Sequence, residues 1–294
     1  MPERHRTNKI QKPIDYGQMM LYINELTEKY SFLSYTSIGE TLLGKSIPLI
    51  SIGEGKQEIL YVGAHMGSAW GETACLLKFI EELCKLISTK SKIYFYDSLY
   101  LFKTKTISVI PMLNPDGVDY NINGTDESNP LFERVLKMNG GSADFSCWNS
   151  NARGVDLDKN YVFSDRPQTD RTENDREGRE GEWPERERET GSLCNYLRYN
   201  TSIKLILALY SFDDEYIHVN SHFISNYKTT KLSQIFNRRI VKTNPDKFLN
   251  FGLSKWCEAN TNIPMLSVVD PIDRPYSSRY LRLREGLFSI PIIF

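Results

Sequence analysis

The sequence has few residues of the types that hold metal ions or form disulfides. Of its 294 residues, 4 are histidine and 5 are cysteine. The cysteines are odd in number and widely spaced, without a Cys-x-x-Cys pair, so we expect small buried side chains rather than a disulfide framework or a thiolate metal site. They are Cys75, Cys84, Cys147, Cys194 and Cys257.

Long apolar runs and an excess of one charge are also missing. No stretch approaches the roughly 20 apolar residues that cross a bilayer, and the basic start, Met1 to Thr7, has no apolar segment behind it. The 36 basic and 37 acidic residues nearly cancel, so neither nucleic acid nor a membrane is expected as a partner. The composition predicts a cytoplasmic protein and does not identify a protein partner.

The composition is that of a soluble globular protein with a large core. Hydrophobic residues make up 40% of the chain and charged residues 25%. We predict a frayed segment at residues 1–12 and a single domain at residues 13–294, which contains a solvated, charged loop at about residues 165–190.

Apolar periodicity predicts alternating helices and strands. Asp15 is suited to cap a helix that runs to about Tyr30, and an apolar stripe that begins at Leu76 predicts a second helix. Residues 47–52 and 59–62 are strand candidates joined by a turn, which favours a hairpin. The remaining candidates are strands at residues 106–112, 203–209, 216–220 and 263–270, and a helix at residues 184–199.

The most informative stretch is a glycine-rich corner between a buried strand and a helix. Residues 59–62 are apolar without alternation, as in a strand buried on both faces, and glycines follow at positions 63, 67 and 71. Open α/β sheets place their sites at such carboxyl ends of strands.

This corner resembles the metal-binding corner of the zinc carboxypeptidases. It is most similar to the branch that cleaves γ-D-glutamyl-diaminopimelate bonds in bacterial cell-wall peptides. Two further blocks carry the resemblance. One contains Asn114-Pro115-Asp116-Gly117, and the other, from Trp148 to Asn160, is similar to the branch signature Trp-Lys-Ala-Asn-x-Arg-Gly-Val-Asp-Leu-Asn-Arg-Asn. The resemblance implies an α/β, zinc-carboxypeptidase-like fold with a mixed, mostly parallel central sheet and helices on both faces.

The residues that the resemblance assigns to zinc chemistry are replaced. When the family's Gly-x-His-x-x-Glu-Trp is aligned on Trp70, Met66 stands at the histidine and Ala69 at the glutamate. Tyr210 stands at the third ligand and Val269 at the general base. A thioether suits copper better than zinc, alanine offers no donor, a phenol has a pKa of about 10, and valine transfers no proton.

Other residues offer no obvious replacement site. Shifting the alignment by one residue makes His65 the candidate ligand but leaves Ser68 at the glutamate position. His218 and His222 are four apart, but their surroundings predict a strand, in which this spacing is too long for one ion. Asp270 follows Val269, but neighbours in a strand point to opposite faces unless a bulge intervenes.

Substrate recognition is altered less. In the family, an Asn-Arg pair grips the terminal carboxylate of the peptide, and this pair is Asp158-Lys159 here. Lysine can neutralise a carboxylate but lacks the two-pronged geometry of arginine, and Asp158 would repel an anion. Arg153 matches the family's arginine before Gly-Val-Asp, with either a substrate-binding or a loop-supporting role.

We therefore expect a catalytically inactive family member that needs no cofactor and retains a cleft for a peptide or a cell-wall peptide fragment. Two alternatives stay open. One is an active metallocarboxypeptidase with a rebuilt zinc site around residues such as His65. The other is an interaction module that does not bind peptides.

Overall fold

A computed structural model describes residues 12–94, 96–162, 181–220, 224–242, 251–272 and 275–294. The helices in these ranges are α1 (Tyr16–Lys29), α2 (Trp70–Ser88), α3 (Ser98–Thr104), α4 (Pro115–Asn123), α5 (Phe132–Met138), α6 (Arg188–Tyr199), α7 (Asn226–Phe236), α8 (Gly252–Asn260) and α9 (Tyr276–Ile293), with a 3₁₀ turn at Leu157–Lys159. The strands are β1 (Leu33–Glu40), β2 (Ser46–Ile52), β3 (Gln57–Val62), β4 (Lys92–Ile93), β5 (Tyr96–Asp97), β6 (Lys105–Ile110), β7 (Ile203–Phe212), β8 (Tyr216–Val219), β9 (Arg239–Val241) and β10 (Met265–Pro271).

Eight of these strands form one mixed sheet in the order β1-β2-β6-β3-β7-β10-β8-β9. The four central strands, β6, β3, β7 and β10, are parallel to one another, while β2 and β8 pair with them antiparallel. Separate apolar cores cover the two faces of the sheet. The predicted α/β class, with a mostly parallel central sheet flanked by helices on both faces, is confirmed.

The two best predicted helices form for local reasons. In α1, Asp15 accepts the backbone N–H of Gln18 and the Gln18 side chain accepts that of Asp15, a capping box that fixes the helix start. In α2, the apolar stripe that begins at Leu76 is buried against the sheet. The predicted helix at residues 184–199 begins later, at Arg188.

The predicted hairpin of residues 47–52 and 59–62 is wrong. Both segments are strands, but β6 lies between β2 and β3, so the two do not pair. The turn determines where β2 ends, but it does not determine which strand lies beside β2 in the sheet. The burial of the strands decides that. β3 is buried on both faces and gains parallel neighbours on both sides, β6 and β7. The Asn114-Pro115 turn is likewise the start of α4, with Asn114 as its cap and Pro115 in its first turn.

Several predictions concern peripheral segments and cysteines. The frayed segment lies outside the described residues except for Lys12, and most of the charged loop lies outside them as well. Four cysteines are buried as expected, whereas the expectation is wrong for Cys147, which is exposed in a loop. None of the helices in the described ranges is long and apolar enough to cross a membrane.

The corner after β3 leaves no room for a side chain at Gly67. A Cβ there would lie 2.6 Å from the Trp148 carbonyl oxygen and 2.7 Å from that of Gly117. We expect Gly67→Ala to lower the free energy of unfolding by about 1–3 kcal/mol, measured by urea denaturation, because backbone atoms must move. Gly17→Ala in α1 is the control, since its Cβ would meet nothing closer than 3.6 Å. Equal effects would mean that the corner is not tightly packed.

Candidate functional site

The sheet register brings the predicted catalytic positions together. Val269 in β10 pairs directly with Tyr210 in β7, and both side chains are buried in the same apolar core. Met66, in the corner after β3, packs partly against this core, whereas Ala69 is buried in the core on the opposite face of the sheet. Met66 and Ala69 lie in one turn of this corner, where the Ala69 N–H donates to the Met66 carbonyl at 3.1 Å.

The corner is held by a buried glutamate and a strained backbone. Ala64 has a left-handed backbone (φ 51°), which is unfavourable for a residue with a Cβ. Its N–H donates to Oε2 of Glu72 at 2.7 Å. Burial raises the pKa of Glu72 to about 7, although the Ala64 N–H, Arg279 and Ser211 oppose this shift. Glu72 therefore supports the backbone of the corner.

His65 is a neutral side chain sandwiched between aromatic rings. Its ring stacks on Tyr210 with centroids 5.3 Å apart and an interplanar angle of 20°. Its Nε2 lies 3.1 Å from the hydroxyl of Tyr161, and Nδ1 has no hydrogen-bond partner among the described residues. Burial lowers the pKa of His65 to about 3, so the imidazole is uncharged at neutral pH.

Tyr210 is joined to a carboxylate that caps a helix. Its hydroxyl donates to Oδ1 of Asp158 at 3.1 Å. The backbone N–H groups of Phe251 and Gly252, at the start of α8, donate to the same carboxylate at 2.9 and 3.1 Å. Burial, reinforced by the nearby Asp158 carboxylate, raises the pKa of Tyr210 well above its ordinary value. The phenol therefore stays protonated.

These residues do not fit a zinc ion. Tyr210 would have to give up the proton that it donates to Asp158, Ala69 has no donor atom, and Nε2 of His65 is shared with Tyr161. In the part of the chain that the structure describes, no group of three or more His, Cys, Asp or Glu side chains is arranged to hold a metal ion. In the shifted alignment, the candidate ligand is His65, whose ring stacks on Tyr210. That alignment places Ser68 at the family's glutamate position, and serine is not a carboxylate.

Asp270 does not face the same side of the sheet as Val269, which stands at the position that the family resemblance assigns to the general base. The pairing of β10 with β7 continues through Asp270 without a bulge, so Asp270 faces away from Val269, as predicted. Its carboxylate forms ion pairs with Arg238 and with Arg279, and Arg279 also donates to the Ser211 hydroxyl at 2.7 Å. This buried network belongs to the opposite face of the sheet.

The three predicted substrate-binding residues differ in their surroundings. Asp158 is buried, and its carboxylate faces α8 rather than solvent. Lys159 lies 3.2 Å from Asp156, and Arg153 lies 3.8 Å from Glu187. The side chains of Lys159 and Arg153 are 27% and 32% exposed, so both can meet a ligand from solvent.

The candidate histidine pair does not form a site within the described residues. His218 lies in β8 as predicted, stacked on Phe251 with centroids 4.4 Å apart, and burial lowers its pKa to about 4. His222 lies outside the described residues. Sequence reasoning missed Tyr161 and Phe251. The position of Tyr161, directly after the 148–160 block, was the available signal for the first.

Comparison with known proteins agrees with this architecture. The sequence profile described as zinc carboxypeptidase matches residues 19–251. A γ-D-glutamyl-L-diamino acid endopeptidase from Lysinibacillus sphaericus is 33% identical over 151 residues, which are 51% of this chain and 38% of that protein. The match therefore spans well under half the length of this curated relative.

Solved structures show the same fold at low sequence identity. The bovine thrombin-activatable fibrinolysis inhibitor, in complex with a tick carboxypeptidase inhibitor, superimposes with a TM-score of 0.68 at 16% identity and covers 96% of each chain. The murein-tripeptide amidase of Escherichia coli O157 has a TM-score of 0.57 at 15% identity, covering 88% of this chain and 91% of the amidase.

The neutral state of His65 makes the fold sensitive to acid. The unfolded chain takes up a proton on His65 below about pH 6.5, whereas the folded chain does so only near pH 3, so stability is lost as the pH falls through this window. When the pH is lowered from about 7 to about 5, we expect the free energy of unfolding to fall by about 2 kcal/mol less in His65→Gln than in the wild type. Urea denaturation at both pH values measures this. Met66→Leu, which removes no titratable group, should behave as the wild type, and an unchanged pH dependence in His65→Gln would contradict the assignment.

The Tyr210 hydroxyl should contribute more to stability than that of Tyr161. Tyr210→Phe removes a donor from a buried carboxylate, which we expect to cost about 2 kcal/mol, whereas Tyr161→Phe removes a bond to a neutral imidazole and costs about 1 kcal/mol. Thermal or urea unfolding of the two variants measures the difference. The reverse order would show that Asp158 does not depend on Tyr210.

Proposed function

The chain belongs to the zinc carboxypeptidase family, and on this basis we propose that it has lost zinc-dependent peptide hydrolysis. The observation that carries the proposal is the hydrogen bond from Tyr210 to Asp158. The residue at the third ligand position is thereby fixed as a protonated donor, which is the wrong polarity for a metal ligand.

The replacements are mutually consistent. A site that holds a dication needs anionic or lone-pair donors, and such carboxylates become costly once the ion is gone. Ala69 and Val269 carry no charge, and Tyr210 is neutral. Asp158, a carboxylate in contact with this cluster, accepts hydrogen bonds from Tyr210, Phe251 and Gly252. The geometry supports a packed pocket rather than an empty metal site.

We further propose that the chain binds peptides without cleaving them. Lys159 and Arg153 supply partly exposed positive charge on the segment that follows Trp148. Because Asp158 is turned toward α8, its repulsion of an incoming carboxylate is weaker than the sequence suggested. The name of the Lysinibacillus relative points to γ-D-glutamyl peptides of the cell wall as the ligand class. A cytoplasmic location stays a prediction from composition.

Zinc content and hydrolysis test the loss of activity together. We expect protein that has been incubated with excess zinc and then dialysed to retain no stoichiometric zinc by elemental analysis, and to leave a γ-D-glutamyl-diaminopimelate peptide intact. Stoichiometric zinc with hydrolysis would contradict the proposal and favour a rebuilt site. In that case, His65→Gln should abolish both metal binding and activity.

Peptide binding is tested separately by calorimetry. We expect a peptide with a free terminal carboxylate to bind about tenfold more weakly to Lys159→Gln than to the wild type, and amidation of the peptide to have a similar effect. Lys159→Arg should retain binding. Lys90→Gln, at the far end of α2, is the control for the loss of one positive charge. Absence of binding by the wild type would contradict this part of the proposal and favour an interaction module.

A further inference from the structure

A surface that combines lysines and tyrosines lies at the end of the molecule remote from the candidate site. It follows the carboxyl end of α2, whose 19 residues place it about 28 Å from the corner at Trp70. We call it the distal surface. Its exposed members are Lys85, Lys90, Lys92, Tyr94, Tyr96, Tyr100 and Lys103.

The distal surface exposes an unusual amount of aromatic area. Tyr94, Tyr96 and Tyr100 are 40%, 44% and 67% exposed. Tyr94 and Tyr96 belong to the short hairpin of β4 and β5, and Tyr100 lies in α3 immediately after it. Tyrosine is suited to an interface that is apolar on one side and wet on the other, because its ring is apolar and its hydroxyl is polar.

The surface is also the centre of a local positive charge. Residues 85–105 contain five lysines and one acidic residue, Asp97, a formal charge of +4 in a chain whose net charge is -1. Asp97 accepts the backbone N–H of Leu99 at the start of α3. On neighbouring elements, Glu82 pairs with Arg284, while Glu54 and Glu285 are exposed and reduce the local charge without cancelling it.

The hairpin is fixed rather than loosely attached. Ile93 and Leu101 are buried on its inner side. The hydroxyl of Ser98 donates to the Leu86 carbonyl at 3.0 Å, and the Arg284 guanidinium donates to the Tyr94 hydroxyl at 3.4 Å. Buried side chains and hydrogen bonds therefore anchor the segment that presents the tyrosines and lysines.

We propose that the distal surface docks the protein onto a bilayer that contains anionic lipids. Lysines attract anionic headgroups, and the neighbouring tyrosine rings enter the headgroup region. A small hairpin fits a fluid interface, whereas a protein partner of standard size needs about 800 Å² of complementary surface. The nearly balanced charge of the chain argues against attraction of the whole molecule to an anionic membrane. The positive charge of the distal surface is local and does not appear in that total. Docking in this way leaves the candidate site free to meet peptides.

Vesicle sedimentation of the full chain tests the proposal. We expect binding to phosphatidylcholine vesicles that contain phosphatidylglycerol, loss of binding at high salt, and little binding to phosphatidylcholine alone. Lys90→Gln combined with Lys92→Gln should lower the partition coefficient about 25-fold, from about fivefold for each lysine. Tyr94→Ser combined with Tyr96→Ser should lower it by about tenfold or more.

Two double variants serve as matched controls. Lys12→Gln with Arg134→Gln removes two exposed positive charges elsewhere, and Leu21→Ser with Tyr35→Ser removes two side chains that are 65% and 39% exposed on α1 and β1. Both should sediment as the wild type does. Equal losses in the controls, equal binding to both vesicle types or no binding by the wild type would overturn the proposal. Binding to a soluble polyanion without binding to vesicles would also overturn it and assign the surface to a polymer.

Discussion

The carboxylate of Asp158 accepts the hydrogen bonds on which the geometry of the candidate site depends. It accepts the Tyr210 hydroxyl from β7 and two backbone N–H groups from the start of α8, so one side chain joins the 3₁₀ turn, the central sheet and a helix. The helix terminus favours a negative charge, which offsets part of the cost of burying the carboxylate. Burial, reinforced by the same charge, raises the pKa of Tyr210 and keeps it protonated. The carboxylate thus organises the pocket through hydrogen bonds, a task that a metal ion performs in a metallopeptidase.

The period of the strand separates the polar residues next to Tyr210 and Val269 from the candidate site. Tyr210 and Val269 face one core, whereas Ser211 and Asp270 face the other. On that other face, Asp270 is committed to Arg238 and Arg279, both of which are buried. Moving Asp270 across the sheet would need a bulge and would leave two buried guanidinium groups without their carboxylate, which is strongly unfavourable. The two sides of the strand therefore carry separate polar systems.

Local sequence patterns predicted helices α1 and α2, whereas the pairing of strands that are distant in sequence was not predicted. The capping box at Asp15 and the apolar stripe of α2 depend on residues a few positions apart, so the sequence was sufficient to predict both helices. The predicted hairpin of β2 and β3 was wrong because β6, which follows much later in the chain, lies between them in the sheet. At the site, motif positions located Tyr210 and Asp158, but the bond between them joins residues 52 apart in sequence. Its existence depends on how the 3₁₀ turn that carries Asp158 packs against β7, which no local pattern encodes.

Buried titratable groups near the corner after β3 link the stability of this fold to pH. A metal site links folding to metal concentration, whereas buried titratable groups link it to protons. In the corner, His65 and Glu72 act in opposite directions. The folded chain resists protonation of His65 between about pH 6.5 and 3, while it resists ionisation of Glu72 between about pH 4.5 and 7. Where these two pH ranges overlap, folding releases a proton at His65 and takes up a proton at Glu72. The two effects cancel, so the combined contribution of these residues to the free energy of unfolding is nearly constant. Below the overlap, the effect of His65 dominates and stability falls as the pH falls. Above the overlap, the effect of Glu72 dominates and stability falls as the pH rises. The combined contribution of these two buried groups to stability is therefore greatest in mildly acidic solution, because burial disfavours the charged form of each.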